Sequence, residues 1–325
     1  MYNLRGLFTR DAIIRYLTSL PVILTPVMDT IYTDRPQHAL PVLGADDVVQ
    51  QAMPLPVIRR GAPSIPAVSE SGSIVTYEPM PIRAHKFITG ADLSNLQVLH
   101  GDGLDAWATQ KTDLLRRAVR RTTEALCALS LSGSVSWPMA LENGGFEAYE
   151  IEYGDPLAIV PDKAWDASNA KLGDVFAVLS DMQEALQDNG YGGTVEIWAG
   201  RSAFRALFSI AEASVSTAKM QVEITEAGIN VGGYLIKRRA ERYRNPQTTK
   251  MVPVVADKQV KMIATDAGHR LPYCALDDLD AKLQPMPFFV KPIPKSDPSG
   301  YKLVAESKPF PVPNVKGICD ATVLA

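Results

Sequence analysis

Five cations crowd eleven residues of this 325-residue chain: Lys111, Arg116, Arg117, Arg120 and Arg121, with only Asp113 and Glu124 close by in sequence. Guanidinium groups at that density pair with phosphate oxygens, or with carboxylates of another chain, through charge-assisted and often forked hydrogen bonds. Arg116/Arg120 and Arg117/Arg121 are like-charge pairs one turn apart, and each such pair slightly destabilises an isolated helix. The spacing therefore asks for outside counter-charge, either a sequence-independent contact with DNA or acidic groups of a neighbouring subunit. A solvated helix face is the plain alternative, and the sequence leaves it open.

No other pattern assembles a reactive site. Asp277, Asp278 and Asp280 lie together without a nucleophile and base beside them, so they read as solvated or lysine-paired acids. His38, His85, His100 and His269 are scattered, with no partner at metal-ligand spacing. Cys127, Cys274 and Cys319 are far apart and odd in number, which argues against a disulfide framework or zinc site and fits a reducing cytosol. Gly190, Gly192 and Gly193 follow a helix instead of opening one, so they form no phosphate-cradling turn. Gly133-Ser134-Val135-Ser136 lacks the second glycine of a nucleophile elbow. The expectation is no catalytic residue, no cofactor and no metal.

The cations need a rigid element, and the pattern supplies one. Trp107, Leu114, Leu115, Ala118, Val119, Thr122, Ala125, Leu126 and Leu129 recur at three- and four-residue spacing. That predicts one helix from about Asp105 to Ser130, stopped by Gly133, about 37 Å long at 1.5 Å per residue. A shorter helix opens at Thr9, an N-cap residue, with Ala12, Ile13, Tyr16 and Leu17 on one face and Pro21 as its stop. Beyond the long helix, Glu147–Tyr153 reads as a strand. An α/β block follows: helix Leu172–Asp188 ending at Asn189-Gly190, strand Thr194–Ala199 and helix Arg201–Ala213. Residues 220–265 are β-rich, with strands at Val222–Thr225, Gly233–Arg238, Val252–Ala256 and Val260–Thr265. Two more strand-like pieces, Tyr301–Ser307 and Ile318–Leu324, close the chain.

Eighteen of the 24 prolines lie in the first 81 residues or the last 41, so both ends exclude helix interiors and central strands. Residues 20–50 alternate short extended pieces with prolines. The densest run, 55–81, keeps two β-prone pieces, Leu55–Ile58 before Arg59-Arg60-Gly61 and Ser73–Tyr77 after Gly72. These predict an irregular two-stranded arm with prolines on its edges. Such an arm is entropically costly to order on its own chain, so it is expected to lie on a neighbouring copy. Arg59, Arg60, Ser73, Val75 and Tyr77 are the candidate contact residues there.

Composition sets the limits. With 46% hydrophobic and 21% charged residues the chain is an ordinary soluble globular protein. A net charge of −3 does not suggest a dedicated nucleic-acid binder. Residues 12–28 are apolar but broken by Arg15, Pro21 and Pro26, so neither a membrane span nor a signal peptide is expected.

The order of these elements resembles the major capsid proteins of tailed bacteriophages, in particular the lambda-type group called major capsid protein E. The tail carries the clearest likeness. Asp297-Pro298, Tyr301-Lys302-Leu303-Val304-Ala305-Glu306-Ser307-Lys308-Pro309-Phe310-Pro311-Val312-Pro313 and Ala321-Thr322-Val323-Leu324 follow the family's closing pattern of extended strand, S-x-P, proline pair and final strand. Tyr273-Cys274-Ala275-Leu276-Asp277-Asp278-Leu279-Asp280-Ala281 resembles the segment before it. The arginine-rich helix, the Glu150-Ile151-Glu152-Tyr153-Gly154 strand end and Ala203-Phe204-Arg205-Ala206-Leu207-Phe208 match in order and spacing.

The resemblance implies an α+β, HK97-like capsid fold. Its parts would be an N-terminal arm (1–45), an extended β-hairpin loop (46–85), a peripheral domain with a long spine helix (86–164 and 284–325) and an axial domain (165–283). It further implies a non-enzymatic shell protein that assembles into hexamers and pentamers around double-stranded DNA. Partners would be a separate scaffolding protein, a portal and a decoration protein received on the edges at Ser73–Tyr77 or Val22–Ile31. The location would be the virion, with the host cytoplasm during assembly and no membrane. In the resembled fold the spine helix lines the shell interior, which favours a weak, non-specific DNA role for its cations. Residues 46–85 contain no lysine, so the lysine-to-asparagine cross-link of some relatives is not expected. Rival readings are a cargo-filled, encapsulin-like compartment shell and a cytosolic α/β enzyme built on 172–265.

Overall fold

The computed structural model describes residues 7–44, 76–90, 92, 102–214, 221–297 and 299–325. The chain divides into two compact units, one of residues 1–21, 36–119 and 272–312, the other of 22–35, 120–271 and 313–325. One continuous helix, Asp102–Ser130, contributes to both. At 29 residues it spans about 43 Å.

The first unit is built on a three-stranded antiparallel sheet. Gly300–Ser307 is its centre, flanked by Ile82–Thr89 and Phe289–Lys295. Pro292 and Pro294 are tolerated because Phe289–Lys295 is an edge strand, where a missing N–H costs no ladder bond. Ile88, Leu303, Ala305 and Val290 point to one face and pack with Phe8, Ala12, Ile13 and Tyr16 of the first helix and with Ala108, Leu115 and Val119 of the long one. That first helix, α1, is Arg10–Ser19; the Thr9 hydroxyl accepts from the Ala12 N–H at 3.3 Å, as its cap position requires. Two minor pairings complete the unit: Gln37–His38 runs parallel to Tyr273–Cys274, and Leu43–Gly44 antiparallel to Thr76–Tyr77.

The second unit holds a seven-stranded mixed sheet. Its strands, in spatial order, are Leu157–Ile159, Ile318–Thr322, Gln259–Ala264, Val195–Ala199, Tyr234–Arg238, Gly228–Val231 and Val222–Thr225. Central strand Gln259–Ala264 is buried along nearly its whole length, which fits its near-continuous apolar run. Helices Leu172–Asp188 and Arg201–Ser214 bury Val175, Leu179, Met182, Leu186, Ala203 and Leu207 against this sheet's core. The first of them starts where the Asp174 carboxylate accepts the Lys171 N–H at 2.8 Å, and ends at Asn189 before Gly190, whose φ is 83°.

Several sequence expectations change. Residues 20–50, read as extended, contain a one-turn helix, Pro26–Thr30. Its missing N-terminal partners come from far along the chain: the Glu124 carboxylate accepts from the Val27 and Met28 N–H groups at 2.8 and 2.9 Å. A tertiary cap of this kind leaves no local signal. Residues 82–89 form a strand although Pro79, Pro81 and interleaved charges hide the alternation. The first half of hairpin Ser134–Ala140/Phe146–Glu152 was masked by Pro138. The strand read at Val252–Ala256 is Met251–Pro253, paired with Arg242–Arg244. Residues 313–325 belong to the unit of 120–271, where Ile318–Thr322 lies between Leu157–Ile159 and Gln259–Ala264. The proposed pairing partner of Ser73–Tyr77, Leu55–Ile58, falls outside the described residues; within them, Thr76–Tyr77 pairs with Leu43–Gly44.

Candidate intersubunit and nucleic-acid surfaces

The cations of the long helix do not share one fate. Arg116 donates to the Pro21 carbonyl at 2.7 Å and pairs with Asp113 at 3.2 Å. Arg117 reaches the other Asp113 oxygen at 2.6 Å. Arg120 donates to the Thr25 hydroxyl at 2.6 Å and to Asp29 at 2.9 Å. Lys111 lies over the Trp107 ring, 5.7 Å from its centre. Arg121 alone of the five is exposed and without a partner among the described residues. The like charges are thus separated by recruitment: Asp113 and Asp29 take three arginines, of which Arg116 and Arg120 also tether N-terminal segments, while Arg121 and half-exposed Arg117 keep charge at the surface.

Asp29 is the hinge of that arrangement. It accepts from Thr25 N–H and hydroxyl at 3.0 and 2.8 Å and from Arg35 at 2.9 Å. Burial works to raise its carboxyl pKa, but the hydrogen bonds from Arg35 and Thr25 and the Arg120 charge outweigh it and hold it below the usual carboxylate range. Glu124 goes the other way. It is 3% exposed, and burial pushes it up despite hydrogen bonds from Met28, Val27 and the Tyr243 hydroxyl. His269 is equally enclosed: its Nε2–H donates to the Ala264 carbonyl at 3.1 Å and its Nδ1 accepts from Asn314 N–H. Burial lowers its pKa to about 4, against the Ala264 hydrogen bond and the Asp266 charge, so it is neutral at physiological pH. These groups hold structure and carry no chemistry.

A basic ribbon escaped the sequence reading. Residues 237–250 contain Lys237, Arg238, Arg239, Arg242, Arg244 and Lys250 against one acid, Glu241. Lys237 is held by Glu196 at 2.7 Å, Arg239 stacks on Trp198 at 4.6 Å, and Arg242 pairs with Asp257 at 3.3 Å. Exposed Arg238, Arg244 and Lys250 have no acidic partner among the described residues. The ribbon is pinned to the long helix by the Tyr243 hydroxyl, which donates to Glu124 at 3.1 Å, one turn beyond Arg121. The run K-R-R-x-E-R-x-R was the signal that could have found it.

Of the arm candidates, Tyr77 is described. Its ring packs on Phe310 at 5.9 Å. Arg59, Arg60, Ser73 and Val75 lie outside the described residues. Asp278 and Asp280 both pair with Lys291, at 2.6 and 2.8 Å, and Asp277 pairs with Lys308 at 3.0 Å, so that acid cluster is lysine-paired. Among the described residues no three His, Cys, Asp or Glu side chains gather in ligand geometry, and no helix is long and apolar enough to cross a membrane.

A sequence model of the family described as phage major capsid protein E matches residues 9–323. Among solved structures, one described as the capsid protein of a prophage of Escherichia coli CFT073 superposes with a TM-score of 0.64 at 15% identity, over 97% of this chain and 98% of that one. A phage-related protein from Bordetella bronchiseptica RB50 superposes with a TM-score of 0.52 at 10% identity, over 97% and 96% of the two chains. At these identities the superpositions speak to the fold. The search of curated proteins returns no relative.

Proposed function

This chain belongs to the phage major capsid protein E family, and from that premise we propose how its surfaces are used. It is the structural major capsid protein of a phage or prophage, not an enzyme, with the α+β, HK97-like fold of such shells, and its place is the virion. The carrying observation is the family match across residues 9–323.

On this reading the subunits form hexamers and pentamers of an icosahedral shell, assembled in the host cytoplasm with a separate scaffolding protein, around a portal. The parts named from the sequence (arm 1–45, loop 46–85, peripheral 86–164 and 284–325, axial 165–283) describe how the chain is laid out in that shell. Decoration protein would add a strand at the edge around Ser73–Tyr77, with Arg59 and Arg60 as further candidate contacts, since main-chain hydrogen bonds there need no particular side chain.

Packaged DNA would meet the cations that the fold leaves available, chiefly Arg121, Lys111 and Arg117 of the long helix and, separately, Arg244 and Lys250 of the ribbon. Arg116 and Arg120 serve instead to hold Pro21, Thr25 and Asp29. A few exposed cations give weak, salt-sensitive binding, which suits a lining that must let DNA slide. Negative-stain microscopy of the purified full-length protein tests the reading: shells or ring-shaped capsomers are expected, and a field of monomers at micromolar concentration contradicts it. For the lining, Arg121→Glu is expected to weaken duplex binding by assembled protein at low salt and leave shell yield unchanged. Unchanged DNA binding would remove Arg121 from the proposal.

A further inference from the structure

Hairpin Ser134–Ala140/Phe146–Glu152 is poorly covered. From Ser136 to Glu150 no residue is buried, although Trp137, Met139, Leu141 and Phe146 are large and apolar. A two-stranded ribbon in water is marginal by itself. Its base is secured: Gly133, at φ 85°, lets the chain turn sharply from the long helix, and a Cβ there would sit 2.1 Å from the Gly154 carbonyl oxygen. Residues 134–155 carry Glu142, Glu147, Glu150, Glu152 and Asp155 and not one Lys or Arg. The pairing register puts Trp137, Met139 and Glu147 on one face, so the ribbon presents apolar area and negative charge together.

A complementary surface exists in the first unit. The sheet face turned away from its helices carries Phe87, Lys302 and Ile293 in one cross-strand row, with Lys295 and His85 in the rows beside it. Phe87 is 48% exposed and Ile293 38%. Lys295 lies over the Phe87 ring at 4.9 Å, and His85 meets its edge at 4.9 Å. Neighbouring cations are already neutralised, Arg83 by Glu306 at 2.8 Å and Lys291 by Asp278 and Asp280. Lys295 and Lys302 meet no carboxylate among the described residues. This face mixes apolar area with positive charge. A phosphate polymer would use the charge and leave Phe87 and Ile293 wet, whereas the ribbon answers both.

We propose that the acidic hairpin of one subunit docks through Trp137, Met139 and Glu147 on the Phe87–Lys302–Lys295 sheet face of a second copy. The inference rests on the chain being a shell protein, which supplies many copies at fixed spacing. Charge complementarity then fixes the docking, because a like-charged approach is strongly penalised.

The test uses the full-length chain. Glu147→Lys and Lys302→Glu, both at surface positions, are each expected to lower shell yield about tenfold, equivalent to one decade in an association constant; the subunit's thermal unfolding should not change. Combining them should restore most of the yield. Because Cys127, Cys274 and Cys319 are all buried, a chain with Glu147→Cys and Lys302→Cys should form disulfide-linked multimers in oxidised shells, seen as a ladder on a non-reducing gel. Harmless single reversals, or two defects that do not compensate and yield no ladder, overturn the docking. Rescue of Glu147→Lys by Arg244→Glu instead would reassign the partner to the basic ribbon, and loss of duplex binding by Lys302→Glu alone would assign the face to DNA. If the unaltered chain itself makes neither shells nor capsomers, it is the shell reading that fails, so the two failures are distinguishable.

Discussion

Two β elements of the same unit solve opposite problems. Strand Gln259–Ala264 has neighbours on both edges and buries Val260, Met262, Ile263 and Ala264 completely. Hairpin 134–152 has one pairing, no buried residue between Ser136 and Glu150, and five acids in its near vicinity. The first gets its stability inside the chain. The second carries apolar side chains, Leu141 and Phe146 exposed and Trp137 and Met139 half-buried, and the proposed docking would cover them with another copy. A shell protein needs both: a subunit that folds alone, and surfaces held short of their full burial until assembly.

Substitutions can break or sharpen that contrast. The largest effect belongs to the buried strand: Met262→Ala should cost about 2–5 kcal/mol of subunit stability, read as a lower denaturant midpoint. Next comes His269, whose folded pKa is about 4 against about 6.5 for an unperturbed imidazole. A depressed histidine favours the fold while both states are neutral, above pH 6.5. As pH falls from 6.5 to 4 the unfolded chain takes up the proton first, so about 3 kcal/mol should be lost across that window. His269→Gln should flatten this part of the profile; an unchanged slope would show that other groups cause it.

Glu124 ranks third. It accepts from Val27, Met28 and Tyr243, and Glu124→Ala leaves three donors stranded, for about 1–3 kcal/mol. Proteolysis should then cut first near residues 22–35. At the small end, Leu141→Ser at the hairpin tip should change subunit stability by less than about 0.5 kcal/mol while reducing shell yield. A large loss of subunit stability there would erase the contrast. The smallest expected effect is none: boiled, reduced shells should run as one band near 35.4 kDa, since residues 46–85 offer no lysine for an inter-chain bond.

What could be read from the sequence follows the same divide. Helices 172–188 and 201–214 and the strands near 195, 222, 234, 260 and 301 announced themselves, because their burial is local and periodic. The family resemblance rested on the order of such elements. Two elements did not show for different reasons: Pro26–Thr30 is capped by Glu124, 96–97 residues distant, and strand Phe289–Lys295, though its partner Gly300–Ser307 follows directly, hides behind two prolines on an edge. The helix cations were visible as a cluster, yet nothing local said that Asp29 would claim Arg120, or that Tyr243 would bring an arginine ribbon to the same helix.

Hydrogen exchange measured on free subunits and on assembled shells compares the two regions directly. Residues 259–264 should exchange slowly in both states. Residues 136–150 should exchange fast in the free subunit and become protected on assembly, because their cover is another chain. Equal protection of the hairpin in both states would contradict the account.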